Sequence, residues 1–255
     1  MCLINFHFQK HPNYKLIVAA NRDEFYARPT EKAHFWPDAP LLLAGRDLLQ
    51  KGTWLGITKE GRFAALTNIR DLSLEGKNQK SRGKIVSEFL NSSVSPAAYL
   101  GKVSTERQRY AGFNILLGNA DQLFHYNNRE DCITEIAPGT HSLSNDTLNT
   151  PWPKVEKGRE QLKAYMMDQQ KLDPNALFSI MENEEIASDA ELPQTGIDIE
   201  LERCLSASFI KTPDYGTRST TILLIDRQNQ VTFIERTHEN GVFKTEQVFH
   251  FSLQL

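Results

Sequence analysis

Cys2, directly after the initiator Met1, is the residue of this chain best placed for covalent chemistry. Its small side chain makes Met1 a substrate for removal, and removal would leave Cys2 with both a thiol and a free α-amine. Such a residue is a nucleophile with its base built in. An α-amine titrates near ~8 and a Cys thiol near ~8.5, so close to neutrality a useful fraction of each is in the form that catalysis needs. A second cluster, Asn21-Arg22-Asp23-Glu24, closes the second apolar run. Taken alone, a Cys at position 2 is a weak signal, and the four-residue cluster reads equally well as a turn held by Asx hydrogen bonds.

The elements that must position these groups follow from periodicity and punctuation. Cys2, Ile4, Phe6 and Phe8 alternate with Leu3, Asn5 and His7, which reads as a strand. His11-Pro12-Asn13-Tyr14 is a turn cluster and Lys15 to Ala20 a short apolar run, so a hairpin brings Cys2 and the Asn21 to Glu24 cluster to the same end of adjacent strands. Phe35 to Pro40 reads as a Pro-containing loop, followed by strands at Leu42 to Gly45, Thr53 to Thr58 and Arg62 to Asn68. The polar, basic stretch from Arg70 to Lys84 reads as a solvated loop. Helical signals cover Lys84 to Asn91 and the segment opened by Ser95-Pro96, with Ser95 as N-cap. Strands return at Gly112 to Gly118, Gln122 to Asn127, Cys132 to Ile136 and His141 to Asn145, then helices at Pro153 to Asp168 and Pro174 to Asn183. Glu184 to Ile199 carries no clear period. Three strands end the chain, Ser219 to Asp226, Val231 to Thr237 and Val242 to Phe251.

Strand groups alternating with helix pairs, without single βαβ crossovers, imply an α+β fold: a four-layer αββα sandwich with two mainly antiparallel sheets between helix layers. No repeat or linker divides the chain, so residues 1–255 read as a single domain. With 29 basic against 32 acidic residues, net charge −3, the chain lacks the basic excess of a nucleic-acid binder. Its longest apolar runs fall far short of the ~20 residues of a membrane span. No secretory signal is read at the N-terminus, and three cysteines at unpaired spacing, Cys2, Cys132 and Cys204, suit a reducing cytoplasm. Cys132 and Cys204, in apolar segments, are expected to be buried. The histidines show no metal spacing, and neither a metal nor a cofactor is expected.

Met1-Cys2, Ala20 to Phe25, Gly52-Thr53-Trp54-Leu55-Gly56, Leu66-Thr67-Asn68, Leu143-Ser144-Asn145, Thr150-Pro151-Trp152-Pro153-Lys154 and Tyr215-Gly216-Thr217-Arg218-Ser219 together resemble the NRDE family, which includes the Transport and Golgi organisation protein 2 homologues. The resemblance spans nearly the whole chain and implies an N-terminal-nucleophile (Ntn) hydrolase-like fold. A more distant similarity, to choloylglycine and penicillin V amidohydrolases, implies roles for single residues. Cys2 would attack an amide or related acyl carbonyl, and its α-amine would accept and return the proton. Asp23 would hold that amine. Asn68 and Asn145 would donate to the oxyanion, and Arg218 would support the site electrostatically and lower the thiol pKa. The amidohydrolases carry Arg-Asn-x-Asp where this chain has Ala20-Asn21-Arg22-Asp23, so the arginine, Arg22, sits two positions later, about 6–7 Å along a strand. The implied partner is a small-molecule amide or acyl substrate. A second function implied by the resemblance is a non-catalytic carrier for a hydrophobic ligand, haem or acyl-CoA, built on the same fold.

Overall fold

The computed structural model describes residues 2–70 and 79–254, other than the side chain of Asp168. Part of the basic stretch read as a solvated loop, 71–78, lies outside the described residues. The expected α+β class is the one found: two antiparallel sheets accompanied by helices.

One sheet has six strands in the order β10(Gly139–Leu143), β1(Cys2–Phe8), β2(Tyr14–Phe25), β11(Tyr215–Asp226), β12(Gln230–Glu239) and β13(Val242–Ser252). The other has seven in sequence order: β3(Thr30–Trp36), β4(Ala39–Asp47), β5(Leu55–Thr58), β6(Phe63–Asn68), β7(Phe113–Gly118), β8(Leu123–Asn127) and β9(Cys132–Glu135). The chain divides into two compact units that interleave in sequence. The first takes the chain up to Ala27, Pro138–Ser144 and Leu148–His250; the second takes Arg28–Ala137, Asn145–Thr147 and the end from Phe251.

In the first unit the six-stranded sheet packs against α3(Pro153–Asp168) and α4(Pro174–Met181), with Leu3, Ile17, Leu162, Leu177, Phe178 and Ile222 in one buried cluster. Full burial of each such side chain is worth about 1.5–3 kcal/mol, enough to fix which face of β1 and β2 looks toward the helices. β1 is buried at every position, on both faces. Its apolar alternation therefore marks two different buried surfaces and not an inside and an outside. The last hairpin turns through Asn240-Gly241, both at positive φ, the two-residue geometry that strand twist favours.

In the second unit α1(Arg82–Leu90) and α2(Pro96–Thr105) supply Ile85, Phe89, Tyr99 and Leu100 to a cluster with Leu42, Phe113 and Ile115 of the seven-stranded sheet. Pro96 opens α2 as expected, but Ser95 makes no side-chain capping bond.

Three expectations are corrected. The loop read over Phe35 to Pro40 is a tight connection between β3 and β4, whose Trp36 and Ala39 are paired. β3 was hidden because it is an edge strand carrying Glu31 and Lys32, charges that suit an unpaired edge and dilute the apolar pattern. The segment without a period ends in a further helix, α5(Ile199–Ser206), capped by Asp198 accepting from the Glu200 N–H. Finally, Cys132 is exposed and Cys204 half-buried. Cys132 opens β9, the other edge strand of its sheet, where all four residues are exposed.

Candidate active site

The β1–β2 ladder pairs Cys2 with Arg22 and Leu3 with Asn21. Directly opposed residues leave a sheet on the same face, and neighbours leave on opposite faces. Leu3 lies in the cluster beside α3 and α4, so Asn21 shares the helix-side face, while Cys2 and Arg22 share the other. Only 7% of each of these two side-chain-bearing residues is exposed.

Asn21 is fully engaged. Its Nδ2 donates to the carbonyls of Met181 and Ser208, both at 2.8 Å, and its Oδ1 accepts from Thr220 Oγ1 at 2.8 Å. It ties β2 to the end of α4 and to β11, a structural task. Asp23 is also buried, and Thr217 Oγ1 donates to its Oδ1 at 2.8 Å. The direction of that bond is fixed by the surroundings. Thr217 Oγ1 already accepts from the Ile210 N–H at 2.9 Å, so its one proton points to the carboxylate. Tyr215 Oη donates to the Asp23 carbonyl at 3.0 Å.

The segment Tyr215 to Ser219 is thereby explained residue by residue. Gly216 is required by space, because a Cβ there would lie 2.2 Å from Tyr26 Oη and 2.5 Å from the Ile210 carbonyl oxygen. Thr217 pairs with Asp23 and Ser219 with Arg22, leaving Arg218 as the extra residue of a β-bulge. Arg218 Nη1 donates to the Phe25 carbonyl at 2.7 Å. Burial lowers its pKa, and the charge of Arg22 pushes in the same direction.

Burial likewise pushes the Asp23 carboxyl pKa up, opposed by the charge of Lys154, the Thr217 hydrogen bond and Arg22. Lys154 is the second residue of α3, buried behind a helix start made by Trp152 and Pro153. At Cys2 burial again dominates and raises the thiol pKa; the nearby Asp23 charge adds to this, while a hydrogen bond from the Asp23 main chain and the charge of Arg22 act against it. Ser144 Oγ donates to the Cys2 carbonyl at 3.0 Å. The sequence marked Lys154, Thr217 and Ser144 as parts of motifs but gave them no task. A Lys one residue after Pro at a helix start was the available signal for Lys154.

Asn68 and Asn145 belong to the second unit. Asn68 ends β6, and Asn145 follows Ser144 in the chain, just past β10. They are joined: Asn145 Nδ2 donates to the Asn68 carbonyl at 3.0 Å, and the Arg70 N–H donates to the Asn145 carbonyl at 2.8 Å. The next residue, Asp146, pairs with Arg129 through its carboxylate, and its carbonyl accepts from Asn114 Nδ2 at 2.7 Å. Asn114 is the centre of a buried neutral network. Its Nδ2 also donates to Thr67 Oγ1 at 3.1 Å, and its Oδ1 accepts from Asn127 Nδ2 at 2.9 Å and meets His125 Nε2 at 3.0 Å. Burial holds the His125 pKa down at about 4, so the ring is neutral and Nε2 carries the proton it donates. An Asn inside the apolar run Phe113 to Leu117 was the sequence sign of this network.

Among the described residues no group of three or more His, Cys, Asp or Glu side chains is arranged to hold a metal ion, and no helix is long and apolar enough to cross a membrane.

Known structures share this architecture. A variant of conjugated bile acid hydrolase from Clostridium perfringens aligns with TM-score 0.57 at 10% identity, covering 100% of this chain and 98% of that one. The Caenorhabditis elegans orthologue of N-acylethanolamine-hydrolyzing acid amidase aligns with TM-score 0.52 at 8% identity, over 88% and 92% of the two chains. The fold is that of the Ntn hydrolases. In sequence, residues 1–240 match the family described as Transport and Golgi organisation 2, and the human Transport and Golgi organization protein 2 homolog is 38% identical over 93% of each chain. The chain belongs to the Transport and Golgi organisation 2 family.

Proposed function

We propose that this chain is an N-terminal-nucleophile hydrolase that cleaves a linear amide or related acyl bond of a small molecule, with Cys2 as nucleophile once Met1 is removed. The observation that carries the reading is the register that sets Cys2 opposite Arg22, beside an Asp23 whose carboxylate is held by Thr217 and balanced by Lys154. Fold likeness to two proteins named as hydrolases of conjugated bile acids and of N-acylethanolamines supports the reaction class. The buried thiol stays protonated near neutrality, so its proton must leave as sulfur attacks, the task suited to an α-amine on the same residue. Sulfur bonds to the carbonyl carbon, the amine takes the thiol proton and passes it to the departing amine or, from a thioester, thiol, and water then releases the acyl group from Cys2. Asp23 orients the α-amine, Arg22 faces the nucleophile, and Arg218 adds positive charge at the β2 end.

Intact mass of protein from its native host, followed by an amide and thioester screen of wild type and Cys2→Ser, tests the reading. The expected result is a chain lacking Met1 with turnover that falls by about 10³-fold or more in the variant, as for loss of a covalent nucleophile. A chain that keeps Met1 in the cell, or turnover that survives Cys2→Ser, overturns it. The upward pull of burial on the thiol favours one other reading, a carrier that retains the fold for haem or an acyl-CoA. That reading requires tight, saturable binding of either ligand that persists in Cys2→Ala, and absence of such binding rejects it.

A further inference from the structure

At the opposite end of β1 from Cys2, roughly 16 Å along the strand, His7 opens on a separate cleft of about 740 Å³. Its walls come from the end of β1 and the turn after it, from β10, and from one face of α3, all within the first unit. The lining is strongly biased in charge. Lys10, Arg159 and Lys163 face the cleft, against the single carboxylate of Glu160. None of the three cations has an ion pair or hydrogen bond among the described residues. Arg159 and Lys163 are four residues apart on α3 and so lie on one face of it.

Asn149 Oδ1 accepts from the Ser142 N–H at 2.9 Å, which turns its Nδ2 toward His141 Nδ1 at 3.1 Å. His141 Nδ1 is thus the acceptor of that contact. His11 is spent within the fold, taking the Asn13 N–H on Nδ1 and donating Nε2–H to the Gln169 carbonyl. His7 is different. The residue is more than nine-tenths buried and its Nδ1 meets Thr140 Oγ1 at 2.7 Å, while its Nε2 meets no hydrogen-bond criterion with another atom among the described residues. Burial first, then the neighbouring His11, His141 and Lys10, hold its pKa down at about 4, although the Lys10 carbonyl pulls the other way. Three cations gathered in one recess repel one another until an anion joins them. Met166 and Met167, from the same face of α3, and Pro12 add an apolar flank.

We propose that this cleft binds an organic phosphate, with the phosphate on Lys10, Arg159 and Lys163 and the apolar carrier against Met166 and Met167. Three unpaired cations match a dianion with three terminal oxygens better than a carboxylate, which brings one charge and two oxygens. The cleft is far larger than an inorganic phosphate, and its thioether side would be idle against a bare ion.

The test is titration of the full chain with hexyl phosphate, inorganic phosphate and hexanoate, followed by calorimetry and by the ring proton signals of the histidines. Hexyl phosphate is expected to saturate the protein and to bind about ten-fold tighter than either control, each ten-fold being about 1.4 kcal/mol. The signals of His7 and His141 should move, and that of the exposed His250, on the edge strand β13 four strands from β1, should stay. Arg159→Glu with Lys163→Glu, and separately Lys10→Glu, should each weaken hexyl phosphate by about ten-fold or more at unchanged far-UV spectrum. Cys2→Ser should bind the probe like wild type, so this site stands or falls apart from the nucleophile. Absence of saturation, or affinity indifferent to the charge reversals, overturns the proposal. Equal affinity for hexanoate overturns the phosphate, and equal affinity for inorganic phosphate overturns the organic carrier.

Discussion

Two buried polar regions, one in each unit, solve the same problem by different means. Around Cys2 and Asp23 the first unit gathers Arg22, Asp23 and Lys154, in a setting where burial pushes the carboxyl pKa up. Around Asn114 the second unit uses amides, a hydroxyl and a neutral imidazole, and satisfies them by matching donors to acceptors. The difference teaches where each region is vulnerable. A charged cluster depends on its balance of sign, and removal of one member leaves the rest uncompensated in a poor solvent for ions. A neutral amide network depends on stoichiometry, and it fails one hydrogen bond at a time.

The sharpest way to break the comparison is Lys154→Met. Loss of this cation should cost about 3–5 kcal/mol in denaturant unfolding, the range for removing one partner of a buried charge set, and Asp23→Asn in the same chain should restore part of it. No restoration would mean that the two groups act independently. The neutral region should instead declare itself in acid. The His125 pKa, about 4 folded against 6.5 unfolded, means that the unfolded chain takes the proton first. The contribution of His125 is therefore complete above pH 6.5 and lost as pH falls toward 4, about 3 kcal/mol at most for this shift. His125→Gln should flatten the slope of stability against pH across that window. Asn114→Ala, with charge unchanged, should cost about 1–3 kcal/mol and show little dependence on pH above 6.5. A loss that instead grew steadily with pH above that point would assign charge to a region described as neutral.

Much of the scaffold was legible because strands and helices advertise themselves by period. The β1–β2 hairpin, the Pro96 helix start, the Asn240-Gly241 turn and the motif segments could be placed from residue order alone. What escaped was held by tertiary context. β3 hides its apolar positions behind the charges of an edge strand, and α5 rises from a polar segment whose cap, Asp198, looks like any loop aspartate. Cys132 was expected inside because its segment was read as apolar, yet the strand it opens is an edge strand among the described residues and all four of its residues are exposed. In the candidate site, the chain order could suggest Cys2 and Asp23 as neighbours of a kind. It could not show that Arg22 stands directly across from Cys2, that Thr217 has only one direction in which to donate, or that a lysine from a helix start faces Asp23. Those are facts of register and enclosure, and no local pattern encodes them.

The bulge at Arg218 changes the parity of its strand. Thr217 and Ser219 are two apart, a step that ordinarily keeps side chains on one face, yet their partners Asp23 and Arg22 are consecutive and lie on opposite faces. One supernumerary residue thus lets a single strand address the carboxylate on one side of the sheet and the guanidinium's neighbourhood on the other. In terms of inheritance, a one-codon deletion here would leave the hydrogen-bonded ladder continuous and every later residue of β11 in phase, and would remove only an arginine. A one-codon deletion two positions further on would invert the faces of the strand between the two points. The position of Arg218 is therefore a place where the gene can lose length without losing the sheet.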